Sequence, residues 1–560
     1  MFLPLITLLP ILLAAAPAFA DNNAYLALTT NGPIIGHPAA TAPDVVTEYL
    51  GIPYAAPPIG PLRFAAPQPY VAAGNPNNDT AAPFIAGHYG YTCPQTASAR
   101  VAYPDRTPQA QRIVAAFAGQ LNHTQSEDCL TLNVWTRTAA EQNATTTLKP
   151  ILVFIHGGRF TIGESHTPFF DGTKLAAAQD VVVVTLNYRV SIFGFPGDAA
   201  GPKNLAFRDQ RLAVEWVRDN AEAFGGDAGR IVVAGQSAGG AAVDYWAYAH
   251  REDPVVAGIV PMSGNVWSFP VSSESTAAER WANVSAAAGC AAGVVGGDVG
   301  GNAGEDAGGD GVLECMRGKD FEVIKKAVAG LKLPTVSGQG RSEAVFQPTV
   351  DNETVFDQET LKKMTDAGEF ARVPYLVGNT HFEAGYYRWA AYGAGSILTD
   401  AQWDNFNLVT FTCPSTYGAA ARARFGVPSW VYRYGGDWDN LRLYPNSSAY
   451  HGSDMHALFG NSEEVSGLPE EEAQAGLTRV VMEAWAAFAR DSRGGLHDLG
   501  WGEYSDSKIL PHFNADTLPV LTGADILVEL GFNKSALPTF ASPQKYASTC
   551  ASLNLSFYSD

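Results

Sequence analysis

The chain has 560 residues, 46% of them apolar and 16% charged. That balance excludes a disordered chain, and the length suffices to bury about three quarters of the unfolded surface. Lys and Arg number 36 against 56 Asp and Glu, a formal charge of −20, so the surface repels phosphate backbones and no nucleic-acid partner is expected.

Residues 1–20 carry no charged side chain and end Ala18-Phe19-Ala20, the pattern of a signal-peptidase site, although the basic n-region is missing. Pro4, Pro10 and Pro17 argue against a buried strand there. A signal peptide over 1–20 and a secreted mature chain are therefore expected. Nothing later reaches the roughly 18 consecutive apolar residues of a membrane span. Eight N-x-[ST] sequons, at Asn78, Asn122, Asn143, Asn283, Asn352, Asn446, Asn533 and Asn554, fit a secreted glycoprotein. Six cysteines, Cys93, Cys129, Cys290, Cys315, Cys413 and Cys550, favour disulfides in that setting, with fifteen connectivities open. None has the C-x2-C spacing of a zinc site and H-E-x-x-H is absent, so no metal is expected.

Between Cys93 and Cys129 runs the apolar stretch Ile113-Val114-Ala115-Ala116-Phe117, suited to covering a cleft or to packing as a short surface helix. The clearest elements follow. Ile151 to Ile155 is a short β-rich run ending at His156-Gly157-Gly158, and Val181 to Leu186 is a second. Leu205 to Ala223 has helical spacing, with Leu212, Val214, Trp216 and Val217 apolar and a Gly225-Gly226 stop. Arg230 to Ala234 reads as a strand, followed by a Gly-rich turn and an Ala-rich helix through Ala249. Continuous apolar strands alternating with helices predict an α/β fold with a large, mainly parallel sheet covered on both faces. Residues 289–311 are dominated by Gly, Ala and Asp and read as a flexible surface loop spanning 290–315. No repeat or linker divides the chain, so 21–560 is read as one domain with long insertions.

Gly235-Gln236-Ser237-Ala238-Gly239 matches G-x-S-x-G between a predicted strand and a predicted helix, the context a nucleophilic serine requires. Small neighbours let the backbone turn sharply, and the free N–H of Ala238 at the helix start can face a developing oxyanion. Such a serine needs a base, and the base an orienting acid, in the chain order Ser, Asp/Glu, His. His381, His451, His456, His497 and His512 all lie downstream, and order alone does not choose among them.

Taken together, the motifs resemble the type-B carboxylesterase/lipase family, which includes cholinesterases and secreted lid-bearing fungal lipases. The matching stretches are Gly60-Pro61-Leu62-Arg63-Phe64, Ser126 to Val134, the turn His156–Phe160 and Asn187-Tyr188-Arg189-Val190. Asp209-Gln210-Arg211, Phe224-Gly225-Gly226-Asp227, the Ser237 turn and His451-Gly452 continue the series. The resemblance implies an α/β-hydrolase fold, with Ser237 as nucleophile, Glu383 as the acid and His451 as the base. It implies an oxyanion hole from the N–H groups of Gly158, Arg159 and Ala238. It further implies ion pairs Arg63–Glu127 and Arg189–Asp209, a structural role for Ser263, and disulfides 93–129 and 290–315, which leave 413–550. The stretch 93–129 resembles the fungal lipase lid in length.

Two residues depart from the family pattern. Arg159 stands where a third glycine is usual, so its N–H is expected to donate provided that φ stays negative. Gln236 stands where Glu often precedes the serine, and the 93–129 segment lacks Trp, both of which count against cationic choline esters. The expected function is hydrolysis of carboxylic esters through an acyl-enzyme on Ser237, as a carboxylesterase or lipase, with activity rising as His451 loses its proton. The expected partner is a small-molecule or lipid ester, with transient contact at a lipid interface. No cofactor and no obligate protein partner are expected. The alternative is a non-catalytic, cholinesterase-like adhesion protein, which the presence of all three triad candidates disfavours.

Overall fold

The computed structural model describes residues 25–72, 82–97, 100–138, 147–198, 201–290, 309–331, 333, 343–504, 527–542, 544–553 and 555. The expected signal segment, residues 291–308 of the Gly-rich loop, and the sequons Asn78, Asn143 and Asn554 lie outside the described residues. A small sheet joins β1 (Leu26–Thr29), β2 (Gly32–Ile35) and β5 (Phe84–Ile85). The large sheet contains eleven strands: β3 (His37–Pro38), β4 (Val46–Pro53), β6 (Thr131–Arg137), β7 (Lys149–Ile155), β8 (Val182–Leu186), β9 (Gly226–Gln236), β10 (Gly258–Met262), β11 (Tyr375–Thr380), β12 (Ser429–Tyr434), β13 (Leu527–Leu530) and β14 (Thr539–Ala541). Their spatial order is β14-β13-β12-β11-β10-β9-β7-β8-β6-β4-β3. From β8 to β13 every pairing is parallel, whereas both margins close with antiparallel strands.

Alternation along the central strands explains why they are apolar throughout. Ile151, Val153 and Ile155 of β7, with Val182, Val184, Ile231 and Val233, face one core layer. Leu152 and Phe154, with Val183, Val232 and Ala234, face the other. The first layer is covered by the helices Leu205–Asp219 and Ala238–Ala249 through Val214, Val217, Val243 and Tyr248. The second is covered by the helix Glu472–Arg490 through Leu477, Val481, Trp485 and Phe488. Among the described residues no helix is long and apolar enough to cross a membrane.

Polar ties fix the segments around this frame. Arg189 grips Asp209 with both arms of its guanidinium, Nε to Oδ2 at 2.8 Å and Nη2 to Oδ1 at 2.6 Å. Arg63 holds Glu127 in the same bidentate manner, and its Nη1 donates to the carbonyls of Met316 and Arg317. Disulfides join Cys93 to Cys129, Cys290 to Cys315 and Cys413 to Cys550. The five sequon asparagines within the described residues, Asn122, Asn283, Asn352, Asn446 and Asn533, are all exposed.

Candidate active site

Parallel pairing brings the carboxyl ends of β7, β9 and β11 to one edge of the sheet, where open α/β sheets place their ligands. Strand β9 ends at Gln236 and a helix starts at Ala238, so Ser237 makes the whole turn, at φ 60° and ψ −119°. Its N–H donates to Met262 O at 2.8 Å, and its carbonyl accepts from Ala241 N at 2.9 Å. The flanking glycines are there because nothing larger fits. A Cβ at Gly235 would lie 2.4 Å from Gly239 O, and one at Gly239 would lie 2.1 Å from Ile155 O.

Glu383 follows β11 at the start of the helix Ala384–Gly393 and is fully buried. Its Oε1 accepts from Thr380 N at 2.7 Å and from Ser263 Oγ at 2.8 Å, while Oε2 bonds His451 Nδ1. A carboxylate only accepts, so Nδ1 carries the proton and Nε2 is left with its lone pair. That lone pair faces Gln236 Nε2 at 3.2 Å, a group that only donates, and Tyr387 Oη at 3.4 Å. Gln236 is the residue directly before the serine. In this arrangement His451 Nε2 is thus engaged by the serine's neighbour and by Tyr387. Phe117, Tyr386, Tyr387 and Phe411 surround the imidazole with ring centroids 4.9–6.3 Å away. Ser237 and His451 are 4% and 2% exposed, so the site is shut off from bulk water.

The turn after β7 lies against the serine. A Cβ on Gly157 would meet Gln236 O at 2.7 Å and Ser237 Cβ at 2.9 Å. Gly158, at φ 104°, accepts from Thr161 N and Ile162 N at 3.0 and 3.1 Å, and a Cβ there would strike Ile162 O at 2.0 Å. The condition attached to Arg159 as an oxyanion donor, a negative φ, is not met: Arg159 and Phe160 both sit at φ 61°. The turn is tied from outside by Ser191 N donating to Phe160 O at 2.7 Å, which holds two non-glycine residues in the left-handed region. The Arg159 guanidinium lies near Tyr386 and Tyr387, and burial lowers its pKa.

The apolar stretch of the 93–129 segment forms the helix Ala110–Phe117, which buries Ala110, Ile113 and Ala116. Phe117 at its end packs edge-on against Tyr386 and His451 and tilts against Phe169. Three features escaped the sequence reading: the Gln236 contact, the aromatic ring around His451, and Asp454. The last is buried behind Glu383, with Tyr432 Oη donating to it at 2.8 Å, and burial together with the Glu383 charge pushes its carboxyl up to about 7. The Tyr387 and Phe411 contacts arise from helices whose docking no local pattern announces. The Gln236 contact had a local signal, its place beside the serine.

A model of the carboxylesterase family matches residues 23–407. The chain is 30% identical to a chlorogenic acid esterase of Aspergillus niger, over 87% of each sequence. It is 29% identical to secreted lipase 5 of Gibberella zeae, over 89% of this chain and 91% of that one. A solved structure titled PNB esterase superposes with a TM-score of 0.71, covering 94% of this chain and 99% of that one at 24% identity, a likeness of fold.

Proposed function

The chain belongs to the carboxylesterase family and is a carboxylic ester hydrolase, and from that premise we propose that it cleaves esters through an acyl-enzyme on Ser237. His451 Nε2 exchanges its contact with Gln236 for the Ser237 hydroxyl and takes the proton as Oγ attacks the acyl carbon. The tetrahedral oxyanion rests on the N–H groups of Gly158 and Ala238; Arg159, at φ 61°, does not meet the condition set for its N–H and is left out of the hole. The alcohol leaves with the proton from Nε2. Water then repeats the sequence on the acyl group, returning the carboxylic acid and free Ser237. Glu383 keeps the imidazole in the required tautomer and stabilises the imidazolium. The observation that carries this reading is the buried Glu383–His451 pair, whose Nε2 lone pair is directed at the residue preceding a serine on a strand-to-helix turn.

The aromatic wall suits an apolar or aryl acyl group, which accords with a relative named for an aromatic ester and another named a lipase. The closed site favours a lid role for the helix Ala110–Phe117, which would swing aside at a lipid interface. The exposed sequons and the secreted relative support an extracellular glycoprotein released by cleavage after residue 20. The test is hydrolysis of p-nitrophenyl esters of increasing acyl length by wild type and Ser237→Ala. Turnover is expected to fall by roughly 10⁴-fold or more in the variant, and equal rates would leave the adhesion alternative. A jump in wild-type rate once the ester forms an interface supports the lid; smooth saturation contradicts it.

A further inference from the structure

Outside the hydrolytic site, two histidines and a carboxylate converge where the 93–129 segment meets the turn after β7. Glu164 follows that turn, and its two oxygens point to different rings. His123 Nδ1 lies 2.8 Å from Oε1, and His166 Nε2 lies 3.1 Å from Oε2. The donor atoms of all three residues fall within 4.8 Å of one another, and the two imidazole rings are 4.7 Å apart. Tetrahedral bonds of about 2.0–2.1 Å place neighbouring ligand atoms about 3.4 Å apart, so an ion fits once the separations within the 4.8 Å spread of donor atoms adjust by about 1 Å.

The surroundings hold this donor set in place. Thr92 Oγ1 donates to Glu164 Oε2 and stands 3.3 Å from His166 Nε2, the kind of outer hydrogen bond that orients a ligating carboxylate. Tyr89 stacks on the His166 ring at 5.4 Å. The Gln95 amide clamps the Gly163 backbone by two bonds of 2.8 Å, immediately before Glu164. Glu164 is 1% exposed, and its ion pairs among the described residues run to histidines alone. A divalent ion would neutralise this buried carboxylate without requiring either imidazole to be protonated. His123 is exposed and leaves a path for the ion and a solvent-side position for a water ligand.

We propose that His123, Glu164 and His166 form a zinc-class divalent metal site that fastens the base of the Cys93–Cys129 segment to the turn after β7. Two imidazoles and one carboxylate are borderline ligands that suit Zn²⁺ and disfavour Mg²⁺ and Ca²⁺, which take oxygen donors. The site lies outside the Ser237 chemistry and supplies no step to it. Its role is to add a metal bond between two chain segments that the Gln95 hydrogen bonds and ring packing already hold together.

The test uses the full chain without a polyhistidine tag, treated with chelator and then titrated with Zn²⁺ by calorimetry, with Tm followed in parallel. One equivalent is expected to bind with a dissociation constant in the micromolar range or tighter, raising Tm, while Mg²⁺ leaves Tm unchanged. His123→Ala, at an exposed position that the fold tolerates, is expected to weaken binding at least tenfold and to keep the chelated Tm. His497→Ala is expected to bind as wild type. Absence of saturable binding, or unchanged affinity in His123→Ala, overturns the proposal.

Discussion

The Gln236 amide holds the lone pair that the proposed mechanism needs, so the residue before the serine tunes the base directly. Replacing it by glutamate places a carboxylate about 3 Å from the imidazole, which stabilises the imidazolium and keeps the base protonated to higher pH. Gln236→Glu is therefore expected to move the acid limb of the kcat/KM profile upward by about one pH unit, whereas Gln236→Ala leaves it nearly in place. An unmoved limb in both variants would remove Gln236 from the machinery. At this scale Ser237 was legible because a strand-to-helix turn leaves a glycine pattern. Glu383 and His451 became legible only by resemblance, since nothing local marks a loop carboxylate or a loop histidine. The positive φ of Arg159 was not legible, since the turn is tied by a bond from Ser191 N to the carbonyl of Phe160, a contact that local propensity does not contain.

Among the elements, the helix Ala110–Phe117 shows the limit of reading a pattern. Its apolar stretch was visible, but its destination, a ring contact with His451 more than three hundred residues later, depends on how two distant segments dock. The Cys93–Cys129 bond brackets this helix across a separation of 36 residues. On a chain-entropy account, closing a loop of that size lowers the unfolded chain's freedom by about 4 kcal/mol at 25 °C. The double substitution Cys93→Ser/Cys129→Ser is expected to lose stability up to that amount, read as a lower urea midpoint with little change in slope. Full retention of the midpoint would mean that the segment is held by packing alone.

For the molecule as a whole, buried titratable groups set the response to acid. Burial lowers His156 to about 4 and His456 to about 3, so between those values and their unfolded pKa of about 6.5 only the unfolded chain takes up the proton. Their contribution is present above pH 6.5 and is lost as pH falls. Asp454, raised to about 7, works in the opposite sense, because its folded form keeps a proton that the unfolded form gives up. His250 and His381, also lowered to about 4 by burial, act in the same sense as the first two, so histidine uptake outweighs release from Asp454 and unfolding takes up protons between pH 4 and 6.5. Tm is expected to fall steadily across that range in scanning calorimetry, and a flat Tm would contradict this balance. The architecture was legible at this scale because strands buried on both faces write a continuous apolar run, as β7 and β8 do. The antiparallel margin formed by β3, β4 and β6 was not, since β4 and β6, though buried, carry the buried polar residues Thr47, Glu48, Asn133 and Thr136 that interrupt the apolar run, and β3 is only two residues long.

The order of strands across the large sheet follows the order of synthesis closely, from β3 at one margin to β14 at the other, with only β7 and β8 exchanged. A ribosome delivering this chain can therefore lay down the sheet largely by addition at one growing edge, each new strand except β7 finding a neighbour already made. Ser237, Glu383 and His451 emerge in that sequence, separated by long stretches of polypeptide. On the proposed mechanism, the nascent protein cannot cleave esters until most of it has been made.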